Sequence, residues 1–134
     1  MIRVVLDTNI LISALLSPAG LPTQVFWNVL LKLDGELCMS GPIYAEYEEV
    51  MRRPRLKRTE EEIQSALRAV RENALWVIPT ISIRACTDPD DNIFLECAQA
   101  AAAHYLVTGN VRHFPSTYGG TKIVTAREFL NETA

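Results

Sequence analysis

Short apolar runs at residues 2–6, 36–39, 75–78, 105–108 and 122–124 are separated by stretches with helical periodicity. Strands that alternate with helices are joined by right-handed crossovers. The chain is thereby confined to a parallel sheet with helices on both faces. The first run, Ile2-Arg3-Val4-Val5-Leu6, is rich in β-branched residues and reads as a buried central strand. The helical stretches are residues 10–16, 22–33, 42–51, 59–73, 89–103 and 126–131. In the second of these, Val25, Val29 and Leu33 recur every four residues with Phe26 and Leu30 beside them, an apolar stripe. Pro42 suits a first helical turn, Thr59 and Glu62 form a capping-box pattern, and Thr125 is an N-cap candidate. Two helices lie between residues 39 and 75 with no strand between them, so that connection is a helical hairpin. The expected architecture is one three-layer α/β/α domain over residues 1–134 with a central parallel sheet.

Composition narrows the function classes. At 49% hydrophobic residues a sizeable core is expected, and a net charge of −3 argues against a polycationic nucleic-acid binder without excluding a local basic patch. Cys38, Cys86 and Cys97 have no CxxC spacing, which points to buried reduced thiols rather than disulfides or a zinc site. Asp7 interrupts the N-terminal apolar run, and no stretch of eighteen apolar residues follows. A cytoplasmic protein without a membrane partner is expected.

Five acidic or amide residues, in four segments, invite consideration as one site. Asp7 ends the first strand, at the carboxyl edge where open α/β sheets place their ligands. Glu46 lies in a helix among Ile43, Tyr47 and Val50, although a solvated helix glutamate is the ordinary alternative. Asp88 and Asp91 open a helix; N-cap and first-turn acids explain them equally well. Asn110 follows the fourth strand in Thr108-Gly109-Asn110, which also reads as a plain turn. A simple crossover is expected to carry the start of the helix at Asp88 away from Asp7. Convergence then requires residues 79–87 to lead that start over the carboxyl edge. Two carboxylates about 6 Å apart repel by roughly 3 kcal/mol at an effective dielectric near 20. Acids that do meet therefore call for a cation, and oxygen ligands favour Mg²⁺ or Mn²⁺ over Zn²⁺. Such ions suit in-line phosphodiester hydrolysis.

These segments resemble the PIN-domain family, and in particular the VapC-like toxins of bacterial and archaeal toxin–antitoxin pairs. The resemblance rests on Val4-Val5-Leu6-Asp7-Thr8-Asn9-Ile10-Leu11-Ile12-Ser13-Ala14 and on Glu46 followed by Val50-Met51-Arg52-Arg53-Pro54. It continues through Asp88-Pro89-Asp90-Asp91-Asn92-Ile93-Phe94-Leu95-Glu96-Cys97-Ala98 and Tyr105-Leu106-Val107-Thr108-Gly109-Asn110. It implies a Mg²⁺- or Mn²⁺-dependent endoribonuclease with Asp7, Glu46 and Asp91 as catalytic metal ligands and Asp88 as an accessory ligand. It also implies an RNA substrate, inhibition by a cognate antitoxin and homodimerisation, and acids that meet at one edge of the sheet. The fourth position, often Asp in the family, is Asn110 here; it can offer a neutral oxygen but lowers the charge of the site. Asn9 and Thr108 are expected to support the site through hydrogen bonds.

Arg52-Arg53-Pro54-Arg55-Leu56-Lys57-Arg58 concentrates five cations directly after the helix of Glu46. Arg52, Arg53 and Arg55, with Arg112 beyond Asn110, are candidate RNA-phosphate contacts; a solvated helix end is the plainer explanation of the cluster. Asn110 motivates a second reading, a catalytically weak or inactive PIN-fold module that binds RNA or protein. A phosphotransferase with Asp7 as nucleophile is disfavoured, because Asp7-Thr8-Asn9 lacks a second Asp two residues on.

Overall fold

In the computed structural model, which describes residues 1–134, six strands and six α-helices alternate along the chain. The strands are β1 (Ile2–Leu6), β2 (Gly35–Met39), β3 (Leu75–Trp76), β4 (Tyr105–Val107), β5 (Thr117–Tyr118) and β6 (Thr121–Val124). The helices are α1 (Thr8–Leu16), α2 (Leu21–Leu30), α3 (Gly41–Met51), α4 (Glu60–Asn73), α5 (Asn92–Ala101) and α6 (Ala126–Thr133). The sheet order is β3-β2-β1-β4-β6-β5, and every pair is parallel except β5 with β6. The sheet is therefore mixed at one edge rather than wholly parallel. The antiparallel pair turns at Gly119, whose φ of +57° lies in the left-handed region and whose added Cβ would stand 2.8 Å from Gln99 Oε1.

β1 is the central strand its composition implies: Val4 and Val5 are fully buried, with β2 on one side and β4 on the other. Helix α5 packs over β1, β2 and β4 with α3 beside it, while α2 and α6 contact each other and cover β2, β4 and β6. One core of 33 buried apolar residues runs through these layers. No single helix is long and apolar enough to cross a membrane. The bent pair α1 and α2, which has the length and composition together, breaks by 108° and supplies Ile10, Leu11, Val25 and Val29 to the core.

Several elements differ from the expectation. Helix α2 stops at Leu30 rather than residue 33, because Lys32 turns left-handed (φ +56°) and the Leu33 N–H donates to Asn28 O (2.9 Å). Leu33 is consequently 66% exposed, whereas Val25 and Val29 are fully buried. The stretch 89–103 divides into a 3₁₀ turn, Pro89–Asp91, and α5, which ends where Ala102 turns left-handed (φ +50°). β3 is shorter than expected, since β2 gives way to α3 after Met39 and leaves nothing further to pair with. The capping boxes of Thr59 with Glu62 and Thr125 with Glu128 are both formed.

The direction of α5 decides the placement of the acids. Arg3 Nε donates to Ala101 O (2.7 Å) and the His104 N–H to Arg3 O (2.8 Å), so α5 ends beside the start of β1. Its N-terminus therefore lies toward the end of β1 that carries Asp7. The expectation that a simple crossover separates them was wrong. A crossover helix runs antiparallel to the strands it joins and starts at their carboxyl edge.

Candidate active site

Asp7 leaves β1 with its backbone N–H still in the ladder, donating to Val107 O (2.9 Å), and its side chain is buried at 7% exposure. It occupies the N-cap position of α1 but makes no side-chain cap, so the carboxylate is free to turn into the site. Thr108 Oγ1 donates to Asp7 Oδ2 (2.7 Å), and Asn9 Nδ2 donates to the same oxygen (3.3 Å). The Asn110 N–H donates to Thr108 Oγ1 (3.0 Å), and the Gly109 N–H to Asn9 Oδ1 (3.1 Å). The supporting pair thus orients Asp7 through one oxygen, Oδ2. Burial pushes the Asp7 carboxyl above its ordinary value, opposed by these hydrogen bonds and by His113.

Glu46 comes from α3 and accepts a hydrogen bond from Thr8 Oγ1, the residue next to Asp7. Burial raises its pKa most, and Asp7 and Asp90 add to the rise. Asp91 precedes α5 without capping it; burial, then Asp7 and Asp88, push its carboxyl up to about 6, against the pull of His113. His113 Nδ1 stands 3.7 Å from Asp91 Oδ2. Asp88 is exposed and caps the 3₁₀ turn, accepting from the Asp90 N–H (3.0 Å), so the helix-start reading of this residue is met in part.

Asp91 therefore lies within electrostatic reach of Asp7, Asp88 and Glu46, and Glu46 within reach of Asp7, at the carboxyl edge of the sheet. No three His, Cys, Asp or Glu side chains close into a ready cation cage. The residues nonetheless fit a divalent cation. Their donors are hard carboxylate oxygens, and both the burial and the acidic neighbours that raise Glu46 and Asp91 are penalties a bound cation relieves. Asn110 is exposed and reaches this network through its backbone.

The basic residues divide. Arg52 pairs with Glu48 and Glu60, Arg53 with Glu49, and Arg58 with Glu62, on the far end of α3 and the start of α4. Arg55 and Arg112 are exposed and enter no ion pair, and Arg112 lies two residues past Asn110.

Two supporting residues, Tyr47 and Asn92, were not singled out from the sequence as parts of the site. Tyr47 is 1% exposed and donates from its hydroxyl to Leu6 O (2.5 Å), tying the helix turn of Glu46 to the strand end that carries Asp7. Asn92 is buried, and its Oδ1 accepts from the Ala85 and Cys86 N–H groups (3.2 and 3.0 Å), fixing the loop that leads to Asp88. His113 O accepts from the Thr87 N–H (3.1 Å), joining that loop to the segment after Asn110. A hydroxyl on an apolar helix face and an amide behind a helix-start acid were the available signals.

Comparison with known proteins agrees with this architecture. The family model described as PIN domain matches residues 3–112. An uncharacterized protein of Methanocaldococcus jannaschii is 30% identical over 143 residues, covering 98% of this chain and 91% of its own length. Among solved structures, a chain of VapBC2 from Rickettsia felis, bound to a DNA fragment from their promoter, superposes with a TM-score of 0.60. That match is at 16% identity and covers 91% of this chain and 98% of the other.

Proposed function

Since this chain belongs to the PIN-domain family, we propose that it is a Mg²⁺- or Mn²⁺-dependent endoribonuclease and the toxin of a toxin–antitoxin pair. The observation that carries this reading is the gathering of Asp7, Glu46 and Asp91 at one sheet edge, with Asp91 raised to about 6 by burial and by its acidic neighbours. Acids held together in this way are electrostatically costly unless a cation joins them.

Asp7, Glu46 and Asp91 would hold the cation, with Asp88 at the margin. Bound there, the ion supplies charge neutralisation at the scissile phosphate and a more acidic water. Asp7 contributes an oxygen fixed in place by Thr108 and Asn9. Glu46 is oriented by Thr8 from the same strand end. Asp91 must be ionised to serve, so it binds well only above about pH 6. Asn9 and Thr108 orient Asp7 and take no part in the bond cleavage.

The fold likeness to VapBC2, a protein bound to promoter DNA in its own crystal, supports an antitoxin partner for this chain. Exposed apolar residues support protein partners, including a second copy: Trp27 in α2 with Leu31 and Leu33 just after it, and Trp76 in β3 with Ile78 and Ile81 after it. Purified protein should cleave a labelled single-stranded RNA with Mg²⁺ or Mn²⁺ and lose this activity with chelator. Asp7→Asn should reduce cleavage by about 10²-fold or more; cleavage that survives the substitution comes from a contaminant.

Asn110 favours a second reading, a PIN-fold module with little or no catalysis, because the site has one acid fewer than the family often has. Calorimetric titration separates the two. A nuclease should bind Mn²⁺ with an affinity that Asp7→Asn removes, whereas a decayed site should show none.

A further inference from the structure

The cation cluster prominent in the sequence is largely neutralised, since Arg52, Arg53 and Arg58 are each paired with glutamates. An RNA strand approaching four carboxylates needs positive charge elsewhere on the same edge. A cleft of about 410 Å³ opens beside Asp7 on the β4–β6 side, with Asn9, Ser13, Asn110, Thr125 and Arg127 on its polar walls. It borders the acidic site through Asn9 and Thr108. Asn9 lines the cleft and donates to Asp7, and Thr108 lies at the boundary of both. Arg127, on the first turn of α6, is exposed and in no ion pair. Arg112, equally unpaired, lines the adjoining hollow, which shares the α6 residue Glu128 with that first turn. The N–H groups at the start of α6 are not the attraction, because Thr125 and Glu128 already form a capping box there.

We infer that the cleft between α1 and α6 is the seat of the substrate strand, with Arg127 binding an RNA phosphate and Arg112 a neighbouring one. This rests on the ribonuclease reading and gives it a direction: the strand crosses the ends of β4 and β6 rather than the α3–α4 corner. Asn9, Ser13, Asn110 and Thr125 provide donors and acceptors for ribose or base edges in the same cleft. Pro22 gives the opposite wall an apolar surface.

The test uses full-length protein carrying Asp7→Asn, so that RNA is bound without being cut, and follows a 5′-labelled single-stranded RNA by fluorescence anisotropy. Into this background are placed Arg127→Gln, Arg55→Gln and, as an exposed arginine on α4, Arg68→Gln; circular dichroism melting checks the fold of each. Arg127→Gln should weaken binding by roughly three- to tenfold and lower the slope of log affinity against log salt by about 0.7, the loss of one phosphate contact on a single strand. Arg127→Lys should recover most of that loss, and Arg68→Gln should bind as the parent does. Undiminished binding by Arg127→Gln, or a loss confined to Arg55→Gln, overturns the cleft while leaving the ribonuclease reading in place. A parent protein with no affinity for RNA at any salt overturns both.

Discussion

At the scale of single residues the site is governed by Thr108 and Asp91. The Thr108 hydroxyl donates to Asp7 and accepts from the Asn110 N–H, so its one hydrogen is committed to the carboxylate. Thr108→Val removes both interactions in a fully buried position and should destabilise the protein by about 1.5–3 kcal/mol in urea unfolding. Because that hydroxyl lowers the Asp7 pKa, its loss should also move the acid limb of the cleavage profile to higher pH, and Thr108→Ser should restore it. Asp91 works in the other direction. Its folded pKa, about 6, lies above the ordinary 3.8, so the folded state binds the proton more tightly than the unfolded chain does. Stability of the cation-free protein is therefore lost as pH rises from about 4 through 6. Asp91→Asn, which removes the part-buried charge and its repulsion by Asp7 and Asp88, should raise the thermal midpoint at pH 7.5 by about 3 °C, with the gain vanishing near pH 4. The same variant should lose divalent-cation binding. A lower midpoint at pH 7.5 would mean that favourable contacts, not strain, hold the carboxylate.

At the scale of elements, helices bring the acids together, and this is where the sequence was most and least legible. β1 is found at its expected bounds because a β-branched run ending in Asp has few other uses. The capping box of Thr59 with Glu62 was read from its spacing, and Thr125 as an N-cap, whose partner Glu128 completes a second box in the structure. β5 could not, since Thr117-Tyr118 is too short to show periodicity and exists only because β6 is there to pair with it. Asp7, Glu46 and Asp91 were nameable as acids, but their meeting depends on the antiparallel course of α5, a property of connection rather than of composition. Tyr47 showed in the sequence only as a hydroxyl on an apolar helix face, and its bond to Leu6 O belongs to the fold. Tyr47→Phe should cost about 1 kcal/mol and weaken Mn²⁺ binding by loosening the α3 turn that holds Glu46; an unchanged Mn²⁺ isotherm would assign Tyr47 to stability alone. The two capping boxes offer an internal comparison. Thr59→Ala and Thr125→Ala should each destabilise by about 1 kcal/mol. Only Thr125→Ala, on the cleft wall, should also reduce RNA affinity in anisotropy.

At the scale of the whole molecule the sheet ends in a two-residue strand on either side, β3 and β5, and such short edges limit indiscriminate strand pairing. The β3 edge is nevertheless apolar: Leu75, Trp76, Ile78 and Ile81 are 37%, 42%, 87% and 61% exposed. That exposure exceeds what a short edge needs, and it lies beside an open cleft formed by residues 77–82 with Gly41, Pro42 and Glu96. A two-fold dimer places the same patch against itself, so one apolar edge suffices to build it. The apolar end of α2, with Trp27 and Leu31 one helical turn apart, remains free for a different protein partner. If the copies meet at β3, Ile78→Asp combined with Ile81→Asp puts like charges at the contact and should convert a dimer to a monomer in sedimentation velocity. The thermal midpoint of the separated chain should barely move, since both side chains are largely exposed already. Should the paired substitution leave the dimer intact while Trp27→Asp dissolves it, the contact belongs to α2 and the β3 edge is left for a different protein partner. An unmodified chain that sediments as a monomer at high concentration would remove homodimerisation altogether.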